Sequence, residues 1–293
     1  MQNKCILLVA LGYEMYGNYA FNLALSIRKY NKEIPIYLMY ENTAIIELTA
    51  KELSYFNGFI KAEKEMYSIE GINQYQYAKL HLFDIAEDIG VDEVMYIDVD
   101  SMLVTDIEHL FNEFKDKDFE IGCNGYYNDF NRSKENTYTF WNNKGTAVRD
   151  ILIYHKINNI LSQSISGLFY FKVNDKAKQI FDVAKEVYLD KNAPCMVWAN
   201  GKPDEYCFNV ALCKLDIIPP KRHYLFFEQA IGSYDMDYIK KHFYGYAVGG
   251  NKLSDRLEST YNNHINDLCL EFNIETRHYN KNKKDYIKER SDN

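Results

Sequence analysis

The chemistry in this chain is concentrated in Val94-Met95-Tyr96-Ile97-Asp98-Val99-Asp100, an apolar run that ends in two carboxylates with Val99 between them. The β-branched and aromatic residues before Asp98 predict a buried strand of a parallel sheet. Positions i and i+2 of a strand share a face, so Asp98 and Asp100 are expected to point the same way. Two anions about 5 Å apart repel by about 3 kcal/mol at an effective dielectric of roughly 20. Burial sharpens that repulsion unless a cation or a shared proton offsets it. Mg²⁺ or Mn²⁺ is the usual solution, because hard divalent ions take oxygen ligands and share them with a substrate phosphate. The plainer alternative has one Asp capping a helix that begins near Asp106 and the other solvated.

Four more segments carry groups of the right chemistry. In Ala10-Leu11-Gly12-Tyr13, followed by Tyr16, loop amides can hydrogen-bond a base and Tyr16 can stack on it. In Tyr77-Ala78-Lys79-Leu80-His81, Lys79 either meets a diphosphate or holds an Asp, while His81 reads as a packed core histidine. Ser166-Gly167-Leu168-Phe169 precedes Pro203-Asp204-Glu205-Tyr206-Cys207-Phe208-Asn209, where Asp204 and Glu205 form an acidic pair suited to a helix N-terminus and Pro203 to its start. In His242-Phe243-Tyr244-Gly245-Tyr246, a neutral imidazole can complete an oxygen-rich Mn²⁺ site. Gly245 permits close backbone approach to a phosphate, and Lys252 beyond it offers a positive donor.

The elements that must position these groups follow an α/β pattern. Cys5 to Leu11 predicts a first strand, Gly12 to Tyr16 a loop, and Ala20, Leu23, Ala24 and Ile27 recur at helical spacing before a second strand over Ile34 to Tyr40. That β-α-β order is the sign of a parallel sheet, whose ligands bind beyond the carboxyl ends of the strands. Tyr77 to Ile89 predicts a helix leading into the Asp98 strand. Ile107 to Phe114 predicts a short helix, Ile121 to Cys123 and Ser166 to Phe171 strands, and Ala177 to Tyr188 and Glu205 to Cys213 further helices. Residues 126–149 read as a long acceptor-side loop. That loop and 186–202 carry Trp141 and Trp198, which suit sugar stacking or ordinary packing.

No linker or repeat divides the chain, so residues 1–275 are expected to form one domain, with a nucleotide-binding half over about 1–120 and an acceptor half over about 121–275. The polar tail 276–293 reads as a solvated terminus. A hydrophobic fraction of 47% in 293 residues marks a core-bearing protein, and a net charge of −8 argues against an extended nucleic-acid surface. The six cysteines include no CxxC pair, so zinc and dithiol chemistry are unsupported. Without a cleavage site after the first apolar run, or any 18-residue apolar stretch, the expected location is cytoplasmic. Oligomeric state is not written in the sequence.

Taken in order, these segments resemble the glycogenin-like retaining glycosyltransferases of family 8, over most of residues 5 to 252. The resemblance implies a GT-A fold, a Rossmann-like mixed but mainly parallel sheet flanked by helices. It implies that Ala10, Leu11, Gly12 and Tyr16 hold a uridine, and that Lys79-Leu80-His81 is the segment that precedes the metal strand. Asp98, Val99 and Asp100 would be the D-x-D that binds Mn²⁺ (or Mg²⁺) and the nucleotide diphosphate. Ser166, Gly167, Asp204, Glu205 and Asn209 would contact the donor sugar, His242 would supply a third metal ligand, and Gly245 and Lys252 would serve the phosphates. Two positions depart from the pattern: Ile165 stands where the family usually has Asn, and Val248 where it has the phosphate lysine, a role Lys252 takes through a longer loop containing Gly249-Gly250.

The expected activity is metal-dependent transfer of a hexose from a UDP-sugar to a glycan, protein or other hydroxyl acceptor, with retention of configuration. The metal, with Lys79 or Lys252, would offset charge growing on the leaving diphosphate, and Asp204 and Glu205 would act at the sugar. Two alternatives compete: a haloacid-dehalogenase-type phosphohydrolase with Asp98 as nucleophile, and a non-catalytic sugar-nucleotide-binding protein.

Overall fold

The computed structural model describes residues 3–41, 48–127, 137–140, 144–158, 160–195, 200–227, 235–248 and 255–275. Strands β1 (Lys4–Ala10), β2 (Ile36–Tyr40) and β3 (Gly58–Lys61) lie parallel, β2 between the other two. The two-residue arms β4 (Ser68–Ile69) and β5 (Ile72–Asn73) form a small hairpin. On the other side of β1 lies β6 (Glu93–Ile97), also parallel to it, and β6 turns directly into β7 (Ser101–Leu103). After β8 (Phe119–Tyr127), an antiparallel pair β9 (Thr137–Phe140) and β10 (Lys144–Ala147) stands within the segment expected to be a loop. The long β11 (Leu161–Lys172) then inserts antiparallel between β6 and β8, giving a central order β3-β2-β1-β6-β11-β8. A separate small sheet joins β12 (Leu225–Phe227), β13 (Gly245–Ala247) and β7. The mixed, mainly parallel sheet matches the sequence expectation.

Helices cover both faces of the sheet, and the two-residue period of the strands decides which side chains meet which helices. Ile6, Leu8, Ala10, Met95 and Ile97 face α1 (Met15–Tyr30) with Phe21 and Leu23, whereas Cys5, Leu7, Val94 and Tyr96 face the opposite core. Beside β2, the single turn α2 (Ala50–Leu53) is closed by a capping box between Thr49 and Glu52. The second core is built by α3 (Leu82–Ile89), which stops at Gly90 in the left-handed region (φ 71°). Past α4 (Glu108–Phe114) and α5 (Val148–Tyr154), it is completed by α6 (Asp175–Leu189), capped by Asn174, and α7 (Asp204–Lys214). Its centre is an aromatic cluster of Phe119, Phe169, Phe171, Phe181 and Phe208, in which the Phe171 and Phe181 rings lie 4.9 Å apart. Replacing one such ring by Ala costs about 3–5 kcal/mol. On the first face, α8 (Met236–His242) adds Ile239, and α9 (Asp255–Phe272) packs on α1, where Asn22 Nδ2 donates to Tyr261 Oη at 2.8 Å.

The stretch expected to be one helix from Tyr77 to Ile89 is two pieces. A 3-10 segment, Tyr75–His81, precedes α3 and buries Tyr77, Ala78 and Leu80 in the second core. Residues i and i+3 nearly eclipse in such a turn, so Lys79 departs from the face that Tyr77, Ala78 and Leu80 bury. Among the described residues no helix is long and apolar enough to cross a membrane.

Candidate functional site

The five residues of β6 are all buried, and the strand ends at Ile97, one residue before the first carboxylate. Asp98 to Ser101 is a turn, closed by Ser101 N–H donating to Asp98 O at 3.1 Å. This corrects the strand geometry read from the sequence: Asp98 and Asp100 do not share a strand face, and each has its own surroundings. The Asp98 N–H donates to Gly167 O at 2.8 Å, which ties the turn to β11. Asp100 O accepts from Val248 N–H at 2.8 Å, which ties it to the end of β13.

Ser166 and Gly167 reach this place through an irregularity in β11. Between the pairs Ser164–Cys123 and Phe169–Ile121, β11 passes five residues while β8 advances two. The extra residues are released from β8 but remain beside the end of β6. Asn209, expected at the donor sugar, is fully buried and serves this irregularity instead: its Oδ1 accepts from Ser162 Oγ and from Ser164 N–H, both at 2.9 Å.

Lys79 joins these elements. Its Nζ lies 2.8 Å from Asp98 Oδ1, 3.1 Å from Asp204 Oδ2 and 3.3 Å from Ser166 Oγ. Ser166 Oγ donates onward to Asp204 Oδ2 at 2.6 Å, and Tyr96 Oη donates to Asp98 Oδ1 at 2.5 Å. The ammonium also sits 5.2 Å from the centre of the Tyr96 ring. The Lys79 and Asp204 side chains are 15% and 6% exposed, and Asp98 is open to solvent at 31%. Of the two roles open to Lys79 on sequence, the structure shows it holding an Asp, and in fact two.

Electrostatics follow from this geometry. Burial opposes the Lys79 charge, but Asp204 first and Asp98 next hold its pKa well above the usual lysine range. Burial and the Asp98 charge push the Tyr96 phenol far up, so it stays a neutral donor. Asp204 and Glu205 open α7 after Pro203, where the helix dipole favours anions. Burial pushes the Glu205 carboxyl up to about 8, with the charge of Asp204 adding to it and Lys79 working against it. Three carboxyl groups thus share the field of one ammonium, and Glu205, the one forced upward, is of the kind that gathers at functional sites.

Ala10 and Leu11, expected near a nucleoside, bury their side chains in the core and leave only their backbone for a ligand. Gly12 adopts φ +92°, and its N–H donates to Glu41 Oε1 at 2.7 Å. A Cβ there would lie 2.7 Å from the Tyr75 ring, so the position needs glycine. Tyr16 is half-buried and edge-on to Tyr13 and Tyr19, with centroids 5.7 and 6.3 Å away. Glu41 and Tyr75 are absent from the sequence-based expectation. Glu41 has a usable signal, since it directly follows β2 at the carboxyl end of a parallel strand.

The late histidine does not join the site. Strand β13 runs antiparallel to β7, with Gly245 opposite Leu103 and Ala247 opposite Ser101, so the chain meets Asp100 at its Val248 end. His242 lies toward the other end, at the close of α8, with its ring 4.5 Å from that of Tyr238. At Gly245 a Cβ would lie 2.3 Å from Met102 O, so its smallness serves strand pairing. Lys252, Trp141, Trp198 and the tail 276–293 fall outside the described residues. Among the described residues no group of three or more His, Cys, Asp or Glu is gathered to hold a metal ion. Asp98 and Asp100 are of the residue type that holds a hard cation of the Mg²⁺ kind, which takes one or two carboxylates and completes its shell with phosphate oxygens and water.

Comparison with solved structures bears on the fold. The chain is similar to the WbbM bifunctional glycosyltransferase, with TM-score 0.57 and 13% identity over 92% of this chain and 50% of that one. It is also similar to the galactosyltransferase LgtC, solved with donor and acceptor sugar analogues, with TM-score 0.56 and 15% identity over 91% of this chain and 95% of that one. The fold is that of the GT-A glycosyltransferases. The chain spans half the length of WbbM. No protein-family profile and no curated protein matches it.

Proposed function

We propose that the protein is a retaining glycosyltransferase of the family 8 kind, which moves a hexose from a UDP-sugar to an acceptor hydroxyl with the help of Mn²⁺ or Mg²⁺. The observation that carries this reading is the Asp98–Lys79–Asp204–Ser166 cluster, gathered at the carboxyl end of a parallel strand in a GT-A fold. That is where open α/β sheets bind ligands. Asp98 and Asp100 would hold the divalent ion, which would neutralise charge on the departing diphosphate. Asp204, 3.1 Å from the Lys79 ammonium, would stabilise positive charge developing on the sugar. Glu205, carrying its proton near neutral pH, would donate a hydrogen bond to a sugar hydroxyl. The Gly12 loop, with Glu41 and Tyr75, would receive the nucleoside.

The phosphohydrolase alternative has no counterpart in the two solved structures, both of which are glycosyltransferases. The test is a panel of UDP-sugars incubated with Mn²⁺ or Mg²⁺, scored for UDP release and for transfer, with an aryl phosphate as control. UDP release from one or more donors, reduced about 100-fold or more in Asp98→Ala, is the expected result. Phosphate release from the aryl ester, or wild-type transfer by Asp98→Ala, would remove the reading. Binding of UDP with the metal but no turnover of any donor would favour a sugar-nucleotide-binding protein.

A further inference from the structure

A lysine ammonium has three N–H donors. Around Lys79 stand three acceptors at hydrogen-bonding or ion-pair distance, Asp98 Oδ1, Asp204 Oδ2 and Ser166 Oγ, at 2.8, 3.1 and 3.3 Å. Each carboxylate oxygen that meets the ammonium also takes a hydroxyl, Tyr96 Oη at Asp98 and Ser166 Oγ at Asp204. The donors are thus matched one to one, and the lysine has none left for a phosphate oxygen. The two carboxylates belong to different elements, the turn after β6 and the first residue of α7, and the ammonium spans the gap between them.

We propose that Lys79 is a positioning residue: it fixes the spacing between the carboxylate at the diphosphate end, Asp98, and the acid at the sugar end, Asp204, and does not itself bind the diphosphate. Which ligand part each carboxylate faces rests on the function proposed above; the bridge itself does not. Without the ammonium, the buried Asp204 and the partly exposed Asp98 carboxylate face each other, and their mutual repulsion drives them apart. A ligand lysine and a positioning lysine then predict opposite effects. Loss of a phosphate ligand weakens nucleotide binding. Loss of a spacer leaves UDP, which lacks the transferred hexose, bound as before and lowers the rate at which a bound donor reacts.

The experiment uses the full chain as Lys79→Met, Lys79→Arg, Asp204→Asn and the double variant Lys79→Met/Asp204→Asn. Calorimetry with UDP and Mg²⁺ should give a Kd for Lys79→Met within about threefold of wild type, while turnover at saturating UDP-sugar falls about 100-fold or more. Lys79→Arg should regain at least about tenfold of that turnover, since it restores a cation that can span both carboxylates. A loss of UDP affinity of about tenfold or more overturns the proposal, as does turnover left within about threefold of wild type. A melting arm stands apart from any activity. Lys79→Met should melt roughly 5–15 °C below wild type, or fail to fold, and adding Asp204→Asn should restore part of the loss. Purely additive melting shifts would show that no bridge exists. Should the wild type bind no UDP and turn over no donor, the proposed function fails, and the melting arm still decides the bridge.

Discussion

Two lysine–aspartate clusters flank the same short segment, and only one has the marks of a working site. On one side Lys79 meets Asp98 and Asp204, with Glu205 close behind. On the other, two residues along the chain, His81 Nδ1 lies 3.2 Å from Asp84 Oδ2, which also takes Lys185 at 2.9 Å. Burial works against the Asp84 charge, yet hydrogen bonds from His81 and Lys185 hold its pKa below the usual range. There Lys185 is shared between Asp84 and Asp182, at 2.9 and 3.4 Å, and the Asp84 carboxyl is held down rather than pushed up. Around Lys79 the acids outnumber the base, and Glu205 is forced upward to about 8. The Asp84 cluster pins α3 to α6; the Lys79 cluster leaves Glu205 with a strongly raised pKa, the kind of group that gathers at functional sites.

The contrast is sharpest in turnover. Asp204→Asn should lower transfer about 100-fold, whereas Asp84→Asn should leave it within about twofold, as a steady-state assay with a UDP-sugar would show. Equal losses in the two variants would erase the distinction. The next effect is in stability against pH. Glu205 binds its proton in the fold up to about 8 against an ordinary 4.5, so its contribution is full below 4.5 and is lost as pH rises through about 8. Melting temperature should therefore fall by several degrees between those limits, and Glu205→Gln should flatten the slope. Smaller still is Lys185→Met, whose half-exposed partner limits the loss to about 1 kcal/mol in a denaturant titration. The smallest belongs to His242→Ala: Mn²⁺ affinity in the presence of UDP, followed by the electron-spin signal of free Mn²⁺, should stay within about twofold of wild type.

Much of the fold and of the site is legible in the sequence alone. Asp98, Ser166, Gly167 and Asp204 lie together in the structure, because the apolar runs around them specify strands and a helix start by period and by Pro203. The departures have physical causes. Sequence order sends His242 to the carboxylates because linear spacing does not say which end of an antiparallel strand meets Asp100, and the register puts Val248 there. Asn209 reads as a sugar ligand because an amide in a helix gives no sign that its partners, Ser162 and Ser164, lie in a distorted strand. Tyr96 reads as core, which it is, but the phenol at its tip is a partner of Asp98. Gly245 suggests a ligand, although the close neighbour that requires it is a carbonyl of β7.

The released span of β11 has a wider consequence. Its neighbour on the β8 side skips past it, while Asn209 anchors its start and the Asp98 N–H holds it at Gly167. Ser166 and Leu168 are buried in that span, whereas Ile165 is half-buried, so a side chain can change there without unzipping a ladder. Ile165 sits next to the serine that touches Asp204. A scaffold arranged in this way can change shape at one position while leaving the contacts around Lys79 in place.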